Sequence, residues 1–137
     1  MSRLPLFLSA LWWGSLSTLG FLVVPLLFVH LPSPALAGAT AAKLFTAQTW
    51  ASLACGLLLL FLSREKSAGM SPRVNQNTLL FVGAGMLLAL LAEFAVAPRI
   101  MARENLALWH SLGSAMYLLQ WLCAAVTFWK ISSQSQV

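Results

Sequence analysis

The fold this chain predicts is an all-α transmembrane bundle of four helices, running up-down-up-down, and three observations predict it. Of the 137 residues, 60% are hydrophobic and only 8% are charged, whereas a soluble domain carries about 25% charged residues. Mean hydropathy is +0.84, so lipid must cover the surface that the chain cannot solvate. The apolar residues gather into four long runs, about 4–31, 41–62, 78–97 and 106–128, and roughly 20 such residues span a bilayer. The runs are continuous, without the alternation of barrel strands, so helices satisfy the backbone in lipid. Residues 1–137 read as a single integral-membrane domain.

The first run (4–31) holds no charged residue and is long enough to span with tilt. Arg3 ahead of it and Ala35-Leu36-Ala37 behind it imitate a cleavable signal, but an apolar signal core is only about 7–15 residues long. The run is therefore read as a retained span, with a kink expected at Pro25. LPSPALAGAT (31–40) reads as a Pro- and Gly-rich turn. The second run follows, with Lys43 at its entrance, and SREKSAGMSPRVNQN (63–77) is a polar loop. The third run contains Glu93 and is expected to end at Pro98-Arg99; the fourth is followed by Lys130 and a Ser/Gln-rich tail. Phe21-Leu22-Val23-Val24-Pro25 and Phe94-Ala95-Val96-Ala97-Pro98 share F-x-V-x-P near the ends of runs one and three. The two helical hairpins could thus be related parallel repeats.

Four spans put both termini on one side. Arg3, Arg64, Lys66, Arg73 and Lys130 fall there, against Lys43, Arg99 and Arg103 opposite, which favours cytoplasmic termini in a bacterial inner membrane. Trp109 and Trp129 suit interfacial anchoring, while Trp12 and Trp13 sit deep for that role. The net charge of +5 is scattered over the ends of apolar runs, with no basic patch, so anionic headgroups and not nucleic acid are the expected partner. Cys55 and Cys123, deep in apolar runs and without C-x-x-C spacing, read as packing residues.

Chemistry gathers between Glu93 and His110. A charge at a helix centre costs about 2.5–3.5 kcal/mol on insertion scales, so Glu93 should face protein or water. Gly85, Ala89 and Ala97, spaced by four about Glu93, offer a small-residue packing ridge. His110 is followed by Gly113, Ser114, Tyr117 and Trp121 on one stripe. Glu93 and His110 fall at similar depth, so a Glu93–His110 hydrogen bond is expected, with Ser114 and Tyr117 completing a polar core. His30, Lys43, Arg99 and Arg103 form a candidate rim, the two arginines sharing a helix face at i and i+4. Basic residues at helix ends also snorkel to headgroups without further function. Gln48, Ser52, Cys55 and Gly56 form a further small and polar stripe, together with Ser17 and Gly20 on the first helix.

No cofactor is required by the sequence. If a transition metal is held, Glu93 and His110 are the ligands to expect, and haem between His30 and His110 needs adjoining helices. No nucleophile elbow, phosphate loop or Asp residue supports hydrolytic chemistry, so an enzyme is not the expected class.

WGSLSTLGFLVVPLLFVHLP, AGATAAKLF and EFAVAPRIMARENLALWHSLGSAMYLLQWL resemble the small bacterial membrane proteins of the domain of unknown function 4149 family, grouped with a eukaryotic transmembrane protein linked to cisplatin resistance. The resemblance runs from about Leu11 to Leu122. It implies a multi-pass membrane protein without a settled reaction. Two functions are carried forward: a small transport, metal-handling or stress-resistance protein, and a non-catalytic accessory subunit of a larger membrane complex or homo-oligomer.

Overall fold

The structure, a computed structural model, describes residues 3–64 and 74–136. Four helices account for nearly all of them: α1 Leu4–His30, α2 Pro34–Arg64, α3 Gln76–Met101 and α4 Leu106–Gln134, each long and apolar enough to cross a membrane. Among the described residues there is no strand. The polar loop expected between α2 and α3, with Lys66 and Arg73, falls on residues 65–73, outside the described residues.

Neighbouring helices run antiparallel, as the pairing of their residues shows. Thr46 meets Glu93 while Gly56 meets Met86, and Gly85 lies by Cys123 while Gly113 lies by Val96. Trp13 stacks on Phe128, and Gly20 faces Tyr117. The centre is crossed on both diagonals. The Trp12 ring from α1 occupies the space over Gly85 of α3, where a Cβ would come within 2.6 Å of it, and Ser52 of α2 reaches Gln120 of α4.

The boundaries differ from the expected ones for local reasons. Only residues 31–33 of the expected 31–40 turn lie outside a helix. Ser33 accepts the Leu36 N–H on its side chain at 3.2 Å and the Ala37 N–H on its carbonyl at 3.1 Å, and Pro34 follows in the first helical position, where a missing N–H costs nothing. Lys43 is consequently well inside α2 and not at its entrance. Pro98 likewise does not end α3, which continues to Met101. Arg103 and Asn105 then adopt left-handed backbone (φ 56° and 37°) and reverse the chain. α4 runs past Lys130 to Gln134.

Both prolines inside spans are accommodated in the same way. A helical proline lacks an N–H and its ring crowds the carbonyl four residues back. In α1 the segment Leu19–Val23 widens into a π turn, closed by Val24 N–H to the Leu19 carbonyl. In α3 the segment Ala92–Val96 does so, closed by Ala97 N–H to the Ala92 carbonyl. Each π turn ends two residues before its proline, so the two F-x-V-x-P motifs share one backbone solution. Glu93 lies inside the second.

Candidate functional site

Glu93 is half-buried and points between α3 and α2. The Thr46 hydroxyl donates to its Oε1 at 2.8 Å and also lies 3.1 Å from the Ala42 carbonyl, one turn back on its own helix. A hydroxyl has one hydrogen and can accept two, so the geometry serves both charge states of the acid. When Glu93 is ionised, Thr46 gives it the hydrogen. When Glu93 is protonated, Thr46 turns its hydrogen to Ala42 and accepts from the acid. Among the described residues no basic side chain pairs with Glu93, and its second oxygen has no protein partner.

Around this pair is an open groove of about 360 Å³ lined by Ala39, Ala42, Lys43, Thr46, Glu93, Ala97, Pro98 and Met101. Small alanines on both helices hold it open. The π turn adds one residue to the turn that carries Glu93, and such turns recur at functional sites. Of the candidate rim, Lys43 is the one residue in this groove. His30 ends α1, exposed. Arg99 lies over the Trp109 ring with its guanidinium carbon 4.4 Å from the centroid, a cation–π contact across the α3–α4 turn. Arg103 falls beyond the last residue of α3, so the helix face expected to carry both arginines does not form.

The expected Glu93–His110 hydrogen bond is not made: Glu93 bonds Thr46, and His110 is exposed on α4. The inward face of α4 is set instead by Gln120, Ala124, Thr127 and Ile131, all buried, and by Gly113 against Val96 and Ile100. That register turns His110 outward together with Ser114, whose hydroxyl donates to the His110 carbonyl at 3.0 Å. Tyr117 does face inward, donating to the Leu16 carbonyl at 2.6 Å. On the packing ridge Gly85 and Ala89 are buried and Ala97 is half-buried.

A second polar group fills the bundle centre. Gln48 Nε2 donates to Ser15 at 2.9 Å and to Ser52 at 3.3 Å, and Ser52 donates to Gln120 Oε1 at 3.2 Å. Alongside it, Trp121 Nε1 donates to Ser17 at 2.8 Å, and Ser17 to the Trp13 carbonyl at 2.8 Å. Sequence reasoning marked Gln48, Ser52 and Ser17 but missed Thr46, Ser15 and Gln120. Gln120 carried a usable signal, an amide in the middle of an apolar run; Thr46 carried none, since threonine is common in spans. Trp12 is fully buried within the bundle.

Among the described residues, no three His, Cys, Asp or Glu side chains come together as a metal-binding group. Cys55 and Cys123 are free thiols.

A family model described as "Domain of unknown function (DUF4149)" matches residues 7–108, well over half of the chain. No curated protein and no solved structure matches it.

Proposed function

We propose that this chain, which belongs to the DUF4149 family, is a small-solute transport or ligand-handling membrane protein in which Glu93 exchanges a proton or a cation. The observation that carries this reading is the Thr46 hydroxyl, held between Glu93 and the Ala42 carbonyl. It lets the carboxyl change charge without either side chain moving far. Intramembrane carboxyls are costly, and where they line a wetted path they commonly mark proton or ion routes. Among the described residues no further His, Cys, Asp or Glu joins Glu93 in a ligand cluster, which favours a proton or an organic cation over a tightly bound transition metal.

We place the protein in a bacterial inner membrane with both termini cytoplasmic, on the excess of basic residues at that side. A cysteine introduced at Ser135 should then resist a membrane-impermeant thiol reagent in intact cells, and labelling there would reverse the orientation. The groove lies in the half of the bundle nearer the opposite face.

The functional test is complementation. A deletion strain is screened against acid, metal salts and organic cations, then rescued with wild type, Glu93→Gln or Thr46→Val. Wild type should rescue, and Glu93→Gln, present at the same membrane level, should fail. Full rescue by Glu93→Gln would make the carboxyl structural and favour the accessory-subunit reading. In that case bulky replacements along Gly85, Ala89 and Ala97 should be the changes that matter, through lost co-purification.

A further inference from the structure

We infer that the groove between α2 and α3 binds the zwitterionic headgroup of an aminophospholipid, with its phosphate on Lys43 and its ammonium on Glu93. This names a ligand for the site just proposed and rests on that reading for the role of Glu93. Two opposite charges line the same groove, yet among the described residues they form no ion pair with each other or with anything else. A ligand carrying both charges satisfies both at once.

Thr46 brings Glu93 close to Lys43 along α2. Lys43 and Thr46 are three residues apart on it, and Thr46 holds Glu93 at 2.8 Å. Three residues rise about 4.5 Å along a helix, so the two charged side chains start close together, and the long Lys43 stem can adjust to the two-carbon link between an ethanolamine ammonium and its phosphate. Glu93 uses one oxygen for Thr46 and leaves the other free, and an ammonium has three N–H donors to offer it.

The surroundings favour a lipid over a water-soluble zwitterion. Ala39, Lys43, Pro98 and Met101 are exposed members of the groove wall and belong to helices that span the membrane, so the groove opens sideways onto lipid. Glu93 lies eight residues before the end of α3 and Lys43 nine after the start of α2, about 12–14 Å along each helix. These helices are longer than the roughly 30 Å hydrocarbon layer, so with each helix centred on it the groove lies only about 5–8 Å inside the hydrocarbon edge, within reach of a headgroup folded inward. Lys43 is long enough to stay at the interface while its stem covers the alanines.

Native mass spectrometry of the full chain in mild detergent tests this with added phosphatidylethanolamine, phosphatidylglycerol or phosphatidylcholine. Wild type should retain phosphatidylethanolamine about tenfold better than either other lipid, the difference that one charge-assisted hydrogen-bonding ammonium supplies. Glu93→Gln should erase its advantage over phosphatidylglycerol, and Lys43→Gln should weaken both. Soluble glycerophosphoethanolamine, at the same concentration as the lipid, should not displace it. Equal retention of the three lipids by wild type, a comparison needing no variant, would overturn the assignment, as would displacement by the soluble headgroup. Equal retention combined with failed rescue by Glu93→Gln would remove the lipid and leave the proton-exchange reading standing.

Discussion

Glycine decides where the helices touch. At Gly85 an added Cβ would lie 2.6 Å from the Trp12 ring and 3.3 Å from the Cys123 Cβ, and Trp12 is fully enclosed with nowhere to turn. At Gly83, two residues away on the same helix, nothing lies within 4 Å. Gly85→Ala should therefore destabilise by about 1–3 kcal/mol, the usual cost of overpacking, while Gly83→Ala should be close to neutral. Unfolding in mixed micelles reads both. A matched loss at the two positions would mean that the Trp12–Gly85 crossing does not hold the bundle together. Hydroxyls also act at this scale. Ser15, Ser17, Ser52 and Tyr117 each bond a polar group on another helix, and such bonds in membranes average only about 0.6 kcal/mol each. They set register more than they add stability.

At the scale of the element, the two π turns make the helices differ from ideal rods. Pro98 crowds the turn before it, and Ala92–Val96 widens in response. Pro98→Ala removes the crowding and restores the missing N–H, so the segment should tighten to regular helix and rotate Glu93 relative to α2. A Thr46→Cys, Glu93→Cys pair should cross-link readily in the parent background and poorly with Pro98→Ala added. Unchanged cross-linking would show that the π turn is fixed by packing and not by the proline. The F-x-V-x-P repeat was legible in the sequence, but its backbone was not. A proline in an apolar run predicts a kink or an end, and the outcome depends on how neighbouring helices accept the displaced carbonyls. The start of α2 was misread for a related reason. Pro32, Pro34 and Gly38 look like a turn when counted, yet Ser33 before Pro34 is a capping arrangement.

For the whole molecule, four spans were legible because lipid imposes length and composition on each run separately. The rotation of each helix about its axis was not. It depends on which faces interlock, and an apolar run presents similar residues all round. Glu93 was found because a carboxylate in a span cannot face lipid cheaply, whereas its partner was misassigned. His110 matched it in depth, but depth does not fix rotation, and α4 turns Gln120 and Gly113 inward instead. The bundle that results keeps its central polar contacts buried and opens one charged groove at its side.

Infrared difference spectroscopy of the protein in lipid reports whether Glu93 changes protonation state within the folded protein. Subtracting Glu93→Gln from wild type across a pH series isolates this carboxyl from Glu65, Glu104 and the C-terminus. A protonated-carboxyl band that wild type loses as pH rises, replaced by carboxylate absorption and absent from the variant, is the predicted result. A difference spectrum that does not change with pH would rule out proton exchange at Glu93, because a carboxyl locked in one state exchanges no proton.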